Sequence, residues 1–106
     1  MANHRLSSLI ALQRQDPGDP FLRYAIGLEY LKNDPQRALE YFDRLLAEQP
    51  DYLPVYYQAG ALLAELGQRE RADGVYRRGI EEAKKQGEQK TLHELKGAYQ
   101  SFLTGD

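Results

Sequence analysis

The sequence predicts an all-α fold of about six antiparallel helices. Three observations carry this. Proline and glycine punctuate the chain between apolar runs and divide it into six helix-length pieces. Within those pieces apolar residues recur at helical spacing, as with Ala38, Leu39, Phe42, Leu45 and Leu46. No segment shows sustained period-two alternation, and Thr and Val together number only four, so strands are not expected.

Each helix has its own start and stop signals. Asn3 is an N-cap for a first helix over 3–15, carrying Leu6, Leu9, Ile10 and Leu12, and Asp16-Pro17-Gly18 ends it. Asp19 caps the second, which runs to about Lys32. Its carboxylate accepts from first-turn N–H groups while Pro20 takes the first helical position, where a missing N–H costs nothing. Asp34-Pro35 repeats the device for the third helix, which Pro50 ends. The fourth lies between about Tyr52 and Leu66, and Gly67 is placed for a left-handed C-cap. The fifth runs from Arg69 to about Lys85 with Ala72, Val75, Tyr76, Ile80 and Ala83 on one side. Gly74 and Gly79 inside it are read as permitting close helix approach. A sixth follows Gly87, with Leu92, Leu95, Tyr99, Phe102 and Leu103 on an inner face and Lys90, His93, Glu94, Gly97, Gln100 and Ser101 on a polar back.

Composition bounds the chemistry. A chain of 106 residues, 42% apolar and 28% charged with net charge −2, reads as one small soluble domain, and a bulk polyanion is not expected as partner. Without cysteine there is no disulfide framework, thiolate metal site or cysteine nucleophile. Met1 to Leu12 lacks the continuous apolar stretch of a signal peptide or membrane span, so no membrane association and a cytoplasmic address are expected.

The pieces repeat. Pro17 and Pro50 are 33 apart, as are Gly27 and Gly60; Ala38 and Ala72 are 34 apart, as are Phe42 and Tyr76. The extra residue falls in the turn, where Glu65-Leu66-Gly67-Gln68 is one longer than Lys32-Asn33-Asp34. In each unit a glycine on the first helix and an alanine on the second allow close approach, and an aromatic one turn further on fills the remaining gap.

This pattern resembles the tetratricopeptide repeat (TPR), W-x2-L-G-x2-Y, then A-x3-F, then P over 34 residues. The first unit reads Arg23-x2-Ile26-Gly27-x2-Tyr30, Ala38-x3-Phe42, Pro50, with Arg in the Trp place. The second reads Tyr56-x2-Ala59-Gly60-x2-Leu63, Ala72-x3-Tyr76, with Lys84 where the proline would fall. Leu9, Leu12 and Pro17 match a leading second half, and Leu92-x2-Leu95-x3-Tyr99 a trailing first half. The resemblance implies a right-handed α-solenoid within a single domain, 1–106: a half-repeat over 3–17, repeats over 20–50 and 53–85, and a C-terminal capping helix over 88–103. It also implies a non-catalytic module whose concave face binds a peptide or partner helix.

The residues placed on that face are Phe21, Tyr24, Leu28 and Leu31, nearly opposite Ile26 and Tyr30 at about 100° per residue, together with Tyr57, Gln58 and Ala61. They form a seat for an apolar anchor on a segment of roughly 4 to 8 residues at about 3.3 Å each. Self-association through the same stripe as a homodimer, internal packing of the stripe, and service as an accessory subunit bound through the convex face are the alternatives. The family's carboxylate clamp for acidic chaperone tails does not map: its places hold Tyr24 and Leu28, then Gln58, then Lys90 and Glu94, and only Lys90 agrees in type.

Other chemistries find no support. Arg69, Arg71, Arg77, Arg78, Lys84 and Lys85 on helix five interleave with Glu70, Asp73, Glu81 and Glu82 at i, i+3 and i+4, a self-compensated solvated face, so nucleic acid is not expected. His4 and His93 lie on different helices without ligand spacing, so no metal site is expected. There is no phosphate loop, and Ser7, Ser8 and Ser101 have no base placed beside them, so neither cofactor nor enzymatic activity is expected.

Overall fold

The computed structural model describes residues 3–105; Met1, Ala2 and Asp106, the ends of the expected domain, lie outside the described residues. Among these every regular element is an α-helix: α1 (His4–Gln15), α2 (Pro20–Tyr30), α3 (Pro35–Glu48), α4 (Pro54–Glu65), α5 (Arg69–Gln86) and α6 (Gln89–Thr104). They fall into two compact units, Met1–Gln49 and Pro50–Asp106. In the first, α2 packs against both α1 and α3; in the second, α5 packs against α4 and α6, and α4 also meets α6.

The caps form as the side chains dictate. Asn3, Asp19 and Asp34 accept from the backbone N–H of Leu6 at 3.0 Å, Phe21 at 2.9 Å and Arg37 at 3.1 Å, and Pro20 and Pro35 open their helices. Gly67 and Gly87 adopt φ of 78° and 70°, the left-handed conformation that closes α4 and α5. Two boundaries differ from expectation by two residues: α2 ends at Tyr30 rather than about Lys32, and α4 begins at Pro54 rather than near Tyr52, with Leu53 as an N-cap that makes no side-chain bond. Pro54 takes the first position, where its missing donor is not needed.

The repeated glycines do what their spacing predicted, once in each unit. A Cβ on Gly27 would lie 2.5 Å from Phe42 Cε1, and one on Gly60 would lie 2.7 Å from Tyr76 Cζ. Each ring is thus seated on bare backbone, and Ala38 and Ala72 are fully buried beside them. The interior glycines of α5 separate. A Cβ on Gly79 would meet Tyr56 Cβ at 2.6 Å, whereas one on Gly74 would meet nothing within 4 Å, so Gly74 supports no close approach. The two lie five residues apart, hence on different sides of the helix. Gly74 and Gly97 are exposed helix-interior glycines with open space around them. Gly74→Ala and Gly97→Ala should therefore each stabilise the chain by about 0.5–1 kcal/mol through restored helix propensity. A lowered urea midpoint in both would contradict the packing described.

The terminal helices are less embedded than the pattern suggested. No residue of α1 is fully buried, and Leu12 is 49% exposed. In α6, Leu95 is buried, but Leu103, expected on the inner face, is 51% exposed. Phe102 takes the place against Tyr76, with ring centroids 5.5 Å apart, and Leu103, about 100° further round, is turned outward.

Candidate functional site

The expected contact residues occupy one face of α2 in the first unit and one face of α4 in the second. Phe21, Tyr24, Leu28 and Leu31 recur at helical spacing along α2 and its C-cap. Phe21 is 58% exposed, while Tyr24, Leu28 and Leu31 are half-buried. Tyr24 has an intramolecular neighbour that sequence did not reveal: its ring lies 6.2 Å from that of Phe42. Part of the stripe is therefore the outer wall of the core, and Phe21 is its exposed end. On α4, Tyr57 is 47% exposed, with Ala61 half-buried one turn on and Gln58 half-buried about 100° round the helix.

Behind the α2 face lies a polar clasp. Arg23, in the place where the repeat carries Trp, lays its side chain inward until it is only 15% exposed and its Nε is buried. Its guanidinium donates to Glu48 Oε1 at 2.8 Å and Gln49 Oε1 at 3.2 Å, and Gln49 Nε2 donates to Gly18 O at 2.8 Å. The end of α3 is thereby tied to the turn that precedes α2. In the second unit the same place is held by Tyr56, buried with its hydroxyl donating to Pro50 O at 2.5 Å. One repeat position is filled once by a guanidinium and once by a phenol, each completed by a hydrogen bond.

Glu29, buried near the end of α2, is the charged residue most deeply enclosed among those described. Arg5 of α1 stands 2.9 Å from its carboxylate, Lys32 donates at 3.2 Å and Asn3 Nδ2 at 3.4 Å. Burial by itself would raise its pKa; the hydrogen bonds from Lys32 and Asn3 and the charges of Lys32 and Arg5 outweigh it and hold the carboxyl below its ordinary value. The folded chain thus binds this proton less readily than the unfolded one. The stabilisation is complete at neutral pH and is lost as pH falls below about 4.3, the unfolded value, and through the lower folded one. Glu29→Gln should accordingly be less stable than wild type at pH 7, with the difference in urea midpoint shrinking as pH is lowered toward about 3.5. Parallel midpoint curves would show that the network does not act through this charge.

The charged surfaces lie elsewhere. On α5, Arg77 pairs with Asp73 at 3.0 Å and Lys84 with Glu81 at 3.6 Å. Arg77 also donates to the Tyr99 hydroxyl at 3.0 Å, which in turn donates to Asp73 at 2.6 Å, and Arg69 stacks 4.3 Å above Phe102. Two of the cations that sequence placed on a solvated face, Arg69 and Arg77, thus fasten α6. On the first unit, Arg37, Tyr30, Tyr41 and Arg44 form a stack, with the two rings 5.7 Å apart and the guanidinium carbons 5.5 and 5.6 Å above them. A cleft of about 480 Å³ in the second unit is lined by Pro50, Tyr56, Arg77, Arg78, Glu81, Glu82 and Lys85, and includes none of the expected contact residues. His4 and His93 are exposed on separate helices, and no group of three or more His, Asp or Glu suited to a metal ion exists among the described residues. Among the described residues no helix is long and apolar enough to cross a membrane.

Helix pairs closed by glycine–aromatic contacts, with an exposed aromatic on the first helix of each, define a helical-repeat protein of the kind that serves protein interaction. A tetratricopeptide repeat family profile matches residues 30–95. A crystal structure of a tetratricopeptide repeat domain protein from Salinibacter ruber is 39% identical, covering 83% of this chain and 100% of that one, with a TM-score of 0.78. A solution structure of a tetratricopeptide repeat domain protein from the same organism is 43% identical over 82% of this chain and 89% of that one, with a TM-score of 0.77. A solution structure of a Bordetella parapertussis protein, 24% identical, covers 100% of this chain and 92% of that one and shares the fold, with a TM-score of 0.79. No curated protein matches. The chain belongs to the tetratricopeptide repeat family, an all-α fold that is a general protein-interaction module and is generally non-catalytic.

Proposed function

We propose that the chain is a non-catalytic adaptor that binds a short segment of a partner protein through an apolar anchor. The contact residues are Phe21, Tyr24, Leu28 and Leu31 on the first unit and Tyr57, Gln58 and Ala61 on the second. The observation that carries this reading is the exposure of two large aromatics, Phe21 at 58% and Tyr57 at 47%, each on the first helix of its pair. Rigid aromatics bring large contact area at low entropic cost and are enriched at binding hot spots. Burying one leucine or phenylalanine of a partner against such a ring contributes about 1.5–3 kcal/mol before the entropic cost of association, which suits micromolar binding.

Capture from source lysate with wild type beside the Phe21→Ala, Tyr57→Ala double variant tests this. Because both side chains are exposed, the variant should keep its melting temperature and lose the partner that wild type retains. Identical catches would remove these faces from consideration. Light scattering over a concentration series gives the competing outcome: a dimer that dissociates in the variant would assign the faces to self-association.

A further inference from the structure

We infer that α1 is a strap poised to lift from the first unit by itself, at far lower free energy than global unfolding, and that its lifting uncovers an apolar strip on α2. The opening belongs to the chain alone and does not depend on the proposed binding role. Anchorage is unequal among the helices of this unit. α3 is held by five buried residues, Ala38, Leu39, Phe42, Leu45 and Leu46, whereas α1 has none: Leu6, Leu9 and Ile10 are half-buried and Leu12 is exposed. Elements with few buried apolar contacts open first. A helix of 12 residues is marginal in water when isolated, so α1 melts as it leaves α2.

The polar ties divide in the same way. Arg5 and Asn3 hold the start of α1 to Glu29, but the Arg5 side chain is 70% exposed, so its ion pair is open to water and weak. Lys32, 65% exposed, follows the end of α2 and stays with Glu29 when α1 departs, so lifting strands no buried, unpaired carboxylate. The other clasp does not involve α1. Arg23 donates to Glu48 and Gln49, and Gln49 donates to Gly18 O, which fastens the chain from Gly18 onward to the end of α3. Asp16 and Pro17 are left as the hinge. Leu22 and Ala25, seven and four residues before Glu29, are buried and lie within about 40° of its direction on α2, whereas Gly27, the seat of Phe42, lies about 160° away. α1 therefore covers Leu22 and Ala25, and α3 covers the opposite side. Ala25 is also about 40° from Phe21, so lifting α1 widens the apolar face beside that exposed ring.

The chain has no cysteine, so a thiol introduced by Ala25→Cys reports directly on the strip beneath α1. Its labelling by a thiol reagent should be accelerated about tenfold by Leu9→Ala, which loosens α1. Phe42→Leu loosens α2 from α3 on the opposite side. It should raise hydrogen exchange of the most protected α3 amides about tenfold or more and leave labelling within about twofold. In the unsubstituted chain, the amides of Ser8 to Gln15 should share one protection factor, about 100-fold or more below that of α3, with a shallower dependence on urea. Labelling that rises with Phe42→Leu by the same factor as α3 exchange, or that does not respond to Leu9→Ala, would overturn the inference. Amides of α1 as protected as those of α3, or protection that climbs residue by residue from the N-terminus as in simple fraying, would overturn it equally, and exchange alone decides if Ala25→Cys does not fold.

Discussion

Gly79→Ala should destabilise the chain by about 2 kcal/mol and lower its melting temperature by roughly 10 °C. Alanine raises intrinsic helix propensity by about 1 kcal/mol, so propensity alone predicts the opposite sign. Packing decides against it. The new methyl would lie 2.6 Å from Tyr56 Cβ, 2.8 Å from Tyr56 Cγ and 3.2 Å from Leu95 Cδ1. A ring edge can rotate away, but Tyr56 Cβ is attached to the backbone of α4, and its side chain is 1% exposed with a hydroxyl bound to Pro50. Relief requires α4 and α5 to separate, which loosens a well-packed interface. Thermal unfolding followed by circular dichroism, with Gly74→Ala on the same helix as reference, checks the result. An unchanged or raised melting temperature for Gly79→Ala would refute the close approach.

Phe42→Ala should cost about 3–5 kcal/mol, a large fraction of the about 5–15 kcal/mol by which a native chain is stable. Phe42 is fully buried, its ring seated on the backbone of Gly27 and 6.2 Å from the ring of Tyr24. Truncation removes the transfer free energy of the ring and leaves a cavity that Gly27, having no side chain, contributes nothing to fill. Hydrogen exchange should show lost protection in α2 and α3. The double change Phe42→Leu, Gly27→Ala should recover part of the loss, since the smaller side chain leaves room for the new methyl. Phe42→Ala with wild-type stability would show that this aromatic does not organise the first unit.

Much of this architecture is legible in the linear order of residues. Asp19-Pro20 and Asp34-Pro35 open helices because a short carboxylate and a ring without N–H each satisfy a first-turn requirement within a few residues. Gly67 takes φ of 78° for an equally local reason. The repeat register pairs Gly27 with Phe42 and Gly60 with Tyr76, and both pairs meet. Helical phase also places Phe21 on the side of α2 opposite Ile26 and Tyr30.

Other features depend on partners distant in sequence. Gly74 and Gly79 are the same residue in the same helix, and only the position of Tyr56 on α4 makes one a packing point and leaves the other in open space. Arg23 departs from the repeat's Trp, and its role is apparent only when Glu48 and Gln49 are brought 25 and 26 residues back to it. Glu29 reads as an ordinary helix-surface acid until Arg5 of α1 and the N-cap Asn3 enclose it. Tyr24 reads as wholly outward until Phe42 is found at its edge. Caps, turns and helical phase are settled by covalent neighbours, so they can be read from local order. Burial, charge pairing and the room beside a glycine depend on which helices pack together, and that is a property of the folded units.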